Sequence, residues 1–540
     1  MSFISADAKS QTTGADADQR LWTVGVVAVV LLGGTLRLLR LGHESFWLDE
    51  SYVSMAADRV LKPWTLFSVD YINDAPLIHF VVGFWSRLIA LVPGLDPGTI
   101  AKDFAMRLPS AAFGTASVWG VYWFTLRLLR ARETALIAAF IFAISPFQLY
   151  YAQDLRPYAL HVAICIVATV FLLRSLEDNR PIHWVVFVAA CTLGIYNHFI
   201  MVFIVMAMNL YFVAFPRPHL KLLGRWIAAN IAIIVLSIPG LAMMLSISGV
   251  FESASEDWYP VPGVKLMLIT FKNYFAGYSP QVAWYTPLFA FAAALAFLGA
   301  WSLRRDPKRL VFLVIMGAAP LAIAAFYWRN ANFPYYTHRL MIFSAVPVFA
   351  LTASGIAYFP KRALRGVAVA VLAGLMLPEM ADYYAQRVHP VVSHTVGWLY
   401  KADTRGASAF VRDQLRDGDI IVHRIRYSQW PFRYYMGWES PNVIGVPTQE
   451  AIDAASKGYP NPKIWINCGV VPQLLDDVIA GKKRVWYVDS WWRAGEQDGV
   501  AQETIGILAS RGKQVLVQPF DALTVYLFDM SAPSAEGNTP

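Results

Sequence analysis

Residues 76–95 read PLIHFVVGFWSRLIALVPGL, a mostly apolar stretch that either crosses a membrane or lies along one. The choice decides on which side every later loop falls. A hydrocarbon core of about 30 Å takes about 20 apolar helical residues, so length permits a crossing, but His79 and Arg87 sit inside the run. Counting it as a span would reverse all the loops that follow. We therefore read 76–95 as an interfacial helix on the outer leaflet, apolar on one face and polar on the other.

Outward from that stretch, apolar runs of spanning length recur from Leu21 to Tyr384, at about 21–40, 108–130, 133–151, 158–174, 183–200, 200–215, 225–247, 283–303, 309–327, 340–358 and 365–382. This predicts about eleven transmembrane helices. Short basic loops alternate between them: Arg127, Arg130 and Arg132; Arg174 and Arg180; Arg217, Lys221 and Arg225; Arg304, Arg305, Lys308 and Arg309; Lys361, Arg362 and Arg365. All fall on one side, which the positive-inside rule makes cytoplasmic. Arg37 and Arg40, at the outer end of the first span, go against the rule.

Composition agrees. The 540 residues are 57% hydrophobic and 15% charged, against about 45–50% and about 25% for a soluble domain. The net charge of +8 is spread over short loops rather than gathered in a patch, which excludes nucleic acid as a partner. Of three cysteines, Cys165 and Cys191 lie in apolar runs and Cys468 in the polar tail, so neither a disulfide framework nor a CxxC metal site can be drawn.

Residues 1–20 have no apolar core and read as a disordered cytoplasmic tail, with no signal-peptide cleavage site after the run at Leu21. Residues 21–384 then form the membrane domain, with a long first outer loop at 41–107. From 385 to 540 the β-type runs DIIVHR, PKIWIN, RVWYVDS, KQVLVQP and LTVYLFD alternate with helical stretches such as 406–416 and 501–511. They predict a small α/β domain with a partly parallel sheet on the extracytoplasmic side.

Ionisable groups near a bilayer are rare unless paired, hydrated or functional, and here they gather in the outer loops. The first loop has Asp49 and Glu50 in FWLDESY and Asp74 in YINDAPLIH; the next has Asp154 and Arg156 in YYAQDLRPY. Then come His198 in YNHF, and His338 and Arg339 in WRNANFPYYTHRL. Carboxylates on separate loops, with arginines on others, suit transfer of a group off a phosphate. One carboxylate takes a proton from the attacking hydroxyl, a second holds the first or a divalent cation, and arginine offers the donor fork that phosphate oxygens need.

Four strings in order, RLLRLGHESFWLDESY, DAPLIHF, RLPSAAFGTASVWGVYWF and SPFQLYYAQDLRPYAL, resemble the GT-C glycosyltransferases that use polyprenyl-phosphate sugars, the protein mannosyltransferase and aminoarabinose transferase group. The resemblance covers 21–215 by motif and 216–382 by layout. It implies an α-helical multi-pass membrane protein with interfacial helices in its first outer loop. It also implies transfer of a hexosyl or pentosyl group from a polyprenyl-phosphate-linked donor to a lipid, polysaccharide or protein acceptor at the outer face of a bacterial cytoplasmic membrane. By motif, Asp49 matches the family's catalytic carboxylate, Glu50 its neighbour, and Asp154 the acidic residue of the second outer loop, where many relatives have Glu. Asp74 stands where relatives often have His before a Pro-Pro pair, and Arg339 resembles the arginine that faces the donor phosphate. Arg156, His198 and His338 complete the expected substrate contacts. A divalent cation, Mg or Mn, would fall to Asp49, Asp154 or Asp74.

Plainer readings stand beside these. Asp49 fits a helix N-cap for DESYVSMAADRV, and Asp154 and Arg156 could pair with each other. The aromatics at 46–52, 258–259, 327–336 and 427–438 fit an interfacial belt, and Lys265 and Lys272 fit lipid headgroups. The rival class is a lipid or solute transporter, which predicts charges deep in several helices and inverted pairs of broken helices; neither is read here.

Overall fold

The computed structural model describes residues 5–60, 75–215, 220–253, 261–279, 281–330, 336–385, 401–457, 471–490 and 499–531. Every segment expected to span lies in helix. In order come α1 (Ser5–Leu38), α2 (Leu48–Val60), α3 (Leu77–Ile89), α4 (Ile100–Leu129), α5 (Arg132–Ile144), α6 (Pro146–Ala152), α7 (Tyr158–Asp178), α8 (Pro181–Asn197) and α9 (Met201–Ala214). They continue as α10 (Leu223–Ser253), α11 (Val264–Ala276), α12 (Val282–Ser302), α13 (Pro307–Asn330), a 3-10 turn (His338–Ser344), α14 (Ala345–Ala357) and α15 (Arg362–Tyr384).

By length and composition seven described helices can cross a membrane, or eight if α5 and α6 count as one bent span, against the eleven read from sequence. The difference is physical. α8 and α9 have 17 and 14 residues, about 26 and 21 Å at about 1.5 Å per residue, while α4 is long but rich in Gly, Ser and Thr. α1 begins at Ser5, inside the segment read as a tail.

α3 has 13 residues, about 20 Å. It buries Ile78, His79, Val82 and Ile89, and exposes Phe84 at 70%, Leu88 and, just beyond its end, Leu91 at 78%. A short helix with one buried side and an exposed apolar row suits the interfacial reading.

The run 133–151 is two helices bent by 62°. Pro146 starts α6 at its first position, and the Ser145 hydroxyl accepts the Gln148 N–H at 3.3 Å and donates to Tyr274 O at 2.7 Å. The break leaves α5 carbonyls without helical partners. Arg37 meets that need, donating to Ala143 O at 3.2 Å and to its own helix at Gly33 O at 2.9 Å. Of the two arginines that broke the charge rule, Arg37 is thus buried and structural, while Arg40 is exposed.

The C-terminal unit holds α16 (Thr404–Arg412), β1 (Ile420–His423), α17 (Arg426–Met436), β2 (Asn442–Val446), α18 (Gln449–Lys457), β3 (Pro472–Leu474), α19 (Leu475–Ile479), β4 (Arg484–Ser490), α20 (Gly499–Arg511), β5 (Lys513–Phe520) and β6 (Leu523–Asp529). The sheet order is β3-β2-β1-β4-β6-β5, parallel from β3 to β4 and antiparallel through β6 and β5. Successive β1 residues face opposite layers: Ile421 packs with Phe432 of α17 and Val411 of α16, and Ile420 and Val422 pack with Val478 of α19 and Leu508 of α20. This is the partly parallel α/β unit expected, although the PKIWIN run at 462–467 lies outside the described residues.

α17 does not stop at its own sheet. Trp430, Tyr434 and Tyr435 share one apolar core with Phe46, Trp47, Tyr52 and Val53 of the segment that follows α1. Phe46 stacks on Tyr434 with ring centroids 4.6 Å apart, and Tyr52 meets Trp430 edge-on at 5.6 Å. The aromatics at 46–52 and 427–438, read as a lipid belt, are mostly a buried seam between the two units.

Candidate active site

The first turn of α2 aims two adjacent carboxylates in different directions, because consecutive helical residues are about 100° apart. Its start at Leu48 puts Asp49 inside the helix rather than at the cap position, where a negative charge still suits the N-terminal dipole.

Glu50 points inward and is fully buried. Arg107 of α4 grips it with both prongs, Nε to Oε1 and Nη2 to Oε2 at 2.7 Å each. The same guanidinium donates to the carbonyls of Leu41, Glu44 and Ser45 at 3.0, 2.8 and 3.1 Å and lies 4.8 Å from the Phe46 ring centre. Arg107 thereby fixes the loop that leads into α2. Glu50 also accepts the Leu155 N–H at 3.0 Å and the Lys401 ammonium at 3.1 Å. Burial alone would raise its pKa, but Arg107 and Lys401 outweigh it and hold the carboxyl well below the usual range.

Asp154 is buried in the loop between α6 and α7, accepting Trp47 Nε1–H at 3.0 Å and Lys401 Nζ at 3.3 Å. Burial raises its pKa, Lys401 opposes this, and the Glu50 charge adds to the rise. Lys401 stands just before α16 and brings a C-terminal residue between Glu50 and Asp154.

Asp49 faces the other way. Its side chain is 24% exposed, with Arg156 Nη2 at 3.6 Å and Arg339 Nη1 at 3.9 Å from Oδ2. Both gaps exceed hydrogen-bond length, so the three groups form a loose cluster rather than a locked pair. Arg156 comes from the loop that holds Asp154, and Arg339 from the 3-10 turn before α14. The Arg339 guanidinium also lies 5.9 Å from the Tyr158 ring centre. The Asp154–Arg156 spacing that suggested a mutual pair instead sends the two side chains to different partners, Lys401 and Asp49.

Other expected residues spread out. Asp74 lies outside the described residues, as do Trp258 and Tyr259. His198 follows α8, where its Nδ1 accepts the Ile200 N–H at 3.3 Å and its ring sits 5.8 Å from Tyr158. Through Tyr158 it borders the arginine cluster. His338 is buried, with Nδ1 2.7 Å from Thr270 Oγ1 of α11. Lys272, read as a headgroup contact, is buried and donates to Gly277 O at 2.9 Å and Ser279 O at 3.2 Å, while Lys265 is exposed.

Sequence reading assigned no role to Arg107, Lys401, Asp103 or Arg405, and placed Tyr435 in the interfacial belt. Asp103 of α4 accepts Arg405 Nη1 at 2.6 Å and the Tyr435 hydroxyl at 2.7 Å, and Tyr435 in turn accepts the Phe46 N–H at 2.7 Å. Arg405 also donates to Gly42 O at 3.0 Å and His43 O at 2.6 Å. These links tie the C-terminal unit to the loop that carries Asp49. The visible signal was Arg107 at the head of RLPSAAF; nothing local marks Lys401 or Arg405.

Residues 98–241 match the family model described as dolichyl-phosphate-mannose-protein mannosyltransferase, a range that holds Arg107, Asp154, Arg156 and His198 but not Asp49 or Arg339. Among solved structures, apo ArnT from Cupriavidus metallidurans aligns at TM-score 0.62 and 12% identity, covering 97% of this chain and 100% of that one. The fold is that of the GT-C glycosyltransferases. ArnT bound to undecaprenyl phosphate aligns at TM-score 0.58 and 12% identity over 96% of this chain and 99% of that one. The archaeal oligosaccharyltransferase AglB from Archaeoglobus fulgidus, in complex with an inhibitory peptide and a dolichol-phosphate, aligns at TM-score 0.50 and 14% identity over 87% and 69%. No curated protein sequence matches the chain. The near-complete coverage against ArnT includes the C-terminal unit, so the GT-C likeness is not confined to the membrane helices.

Proposed function

We propose that the protein is a membrane glycosyltransferase moving a hexosyl or pentosyl group from a polyprenyl-phosphate donor to a lipid, polysaccharide or protein acceptor, with Asp49 as general base. The observation that carries this reading is the loose cluster of one partly exposed carboxylate and two arginines. A leaving phosphate suits the two guanidinium forks, and an acceptor hydroxyl suits the carboxylate beside them. In the reaction the acceptor oxygen forms a bond to the anomeric carbon as the bond from that carbon to the donor phosphate oxygen breaks. The acceptor proton goes to Asp49, and the electron pair leaves with the polyprenyl phosphate, whose growing charge Arg156 and Arg339 stabilise. Attack opposite the leaving phosphate inverts the anomeric centre.

Glu50 and Asp154 were expected to share the chemistry. Their burial and their pairing with Arg107 and Lys401 favour a positioning role for both. The donor set fits a divalent cation poorly: Asp49 faces two guanidiniums, Asp154 an ammonium and an indole N–H, and among the described residues no three His, Cys, Asp or Glu side chains gather.

The partition we propose is a membrane catalytic unit at 21–384 and an extracytoplasmic unit at 385–540, in a bacterial cytoplasmic membrane. The test is release of free polyprenyl phosphate from a panel of polyprenyl-phosphate sugars by the purified protein, with a cell-envelope extract as acceptor. Release by the wild type and not by Asp49→Asn supports the reading. No release from any donor by well-folded protein overturns it, and transport of a lipid or solute becomes the better account.

A further inference from the structure

A cavity of about 560 Å³ opens between α3, α4 and the C-terminal unit. Asp49, Arg156 and Arg339 are not among its walls. Arg87 of α3, Lys102 of α4 and Arg412 of α16 line it together with Tyr434, Tyr435 and Trp438, and among the described residues no wall is acidic. Among the described residues, the carboxylate within 4.0 Å of Arg412 is its neighbour Asp413, itself exposed.

The helix that supplies Arg87 also carries the exposed apolar row. At 100° per residue, Phe80, Phe84 and Leu88 fall on one side, Ser86 and the C-cap Ala90 on the cavity side, and Arg87 on the line between them, with Leu91 exposed just past the helix end. A basic, aromatic-lined cavity that shares a helix with an exposed apolar row matches a molecule with an anionic head and apolar tails. The aliphatic stem of Arg87 can lie along the tails while its guanidinium reaches the head.

We propose that this cavity binds the phosphate-bearing headgroup of an anionic membrane lipid, held by Arg87, Lys102 and Arg412, with its acyl chains along Phe84, Leu88 and Leu91. The site is separate from the one assigned to the sugar donor. Its test reads binding alone, so it can fail while the transferase reading stands, and the reverse.

The experiment uses the full chain in neutral detergent and three probes: dioctanoyl phosphatidylglycerol, dioctanoyl phosphatidylcholine and glycerol phosphate. Phosphatidylglycerol is expected to bind at least about tenfold tighter than either of the others. Arg87→Ala with Arg412→Ala should weaken it at least about tenfold while leaving the melting temperature without lipid unchanged, and Arg87→Gln alone should give a smaller loss. Leu88→Ser should weaken phosphatidylglycerol but not glycerol phosphate. Equal binding of the two lipids, or full binding by the double variant, overturns the proposal. So does glycerol phosphate binding as tightly as phosphatidylglycerol, which would mark a soluble-anion site.

Discussion

Lys401 reaches Glu50 across 351 positions of sequence, its ammonium 3.1 Å from Oε2, and the same ammonium stands 3.3 Å from Asp154 Oδ1. Two segments of the membrane unit, the start of α2 and the loop between α6 and α7, are thereby held by one residue of the C-terminal unit. Burial lowers the Lys401 pKa, but Glu50 and Asp154 more than offset this and raise it. Replacing Lys401 with Met would leave Asp154 buried without its cation and Glu50 with Arg107 alone, a loss of about 3–5 kcal/mol for a broken buried pair. The expected outcome is a lowered melting temperature together with reduced turnover. The double variant Lys401→Met, Asp154→Asn should recover part of the stability, which a double-mutant cycle would measure. Removing residues 400–540 should abolish turnover as well, because it strips Lys401 and Arg405 from Glu50, Asp154 and Asp103. Turnover kept after that removal would show that the membrane unit orders Asp49 by itself.

Asp49 and Glu50 are adjacent and chemically alike, yet their variants should separate. Asp49→Asn keeps shape and exposes no buried charge, so it should fold as the wild type and lose about 10²–10⁴ in turnover, the usual worth of a general base. Glu50→Gln removes the charge that balances Arg107 and Lys401, both buried, replaces one of its two acceptor oxygens with an NH2 donor, and should instead lower stability by several kcal/mol. A thermal melt beside a turnover assay distinguishes them.

Arg156 and Arg339 offer forks that lysine cannot reproduce. Arg339→Lys and Arg156→Lys should each weaken binding of undecaprenyl phosphate about tenfold, ~1.4 kcal/mol, with little change in melting temperature. Unchanged binding in both would remove the phosphate role.

How far the sequence carried these conclusions follows from chain distance. The strings 37–52 and 145–160 located the two loops that bear Asp49, Asp154 and Arg156, since motif and hydropathy are local signals. The partners of Glu50 were not legible, because Arg107 lies 57 positions away and Lys401 beyond a membrane domain. The strands at 419–424, 484–490, 513–519 and 523–529 were found from their apolar runs. β2 was missed because NVIGV is short and follows a proline, and β3 because it has three residues. The bend at 145 was legible in principle, since Ser-Pro is a helix start, but the unbroken hydropathy of 133–151 masked it.

The crossing of α12 and α14 predicts a packing-sensitive pair. A Cβ built on Gly299 would lie 1.9 Å from Leu351 O, and one on Gly355 would lie 1.9 Å from Leu295 O, so the two backbones touch where both residues lack side chains. Close approach of this kind depends on small residues. Gly299→Val and Gly355→Val should each push the helices apart. Since α14 follows the 3-10 turn that carries Arg339, Gly355→Val should lower both thermal stability and donor affinity. Gly374, whose added Cβ meets nothing within 4 Å, serves as the control: Gly374→Ala should leave both unchanged.

His423 gives the C-terminal unit a distinct acid response. It is buried at the end of β1, with Nδ1 3.0 Å from Ser428 Oγ and Nε2 2.7 Å from Asn442 Oδ1. Burial pushes its pKa down to about 3; the Asn442 hydrogen bond acts in the opposite sense and the Arg433 charge in the same one. The unfolded chain takes up a proton near pH 6.5, whereas the folded unit does not until about pH 3. Its contribution is therefore fully present above about pH 6.5 and is lost as the pH falls between those values, at up to about 1.4 kcal/mol per pH unit. Hydrogen exchange of β1, β2 and β4 followed from pH 7 to pH 4 should show protection falling on acidification. The fall should be shallower in His423→Gln, whose amide cannot titrate, and an equal slope in the variant would assign the acid response to other groups.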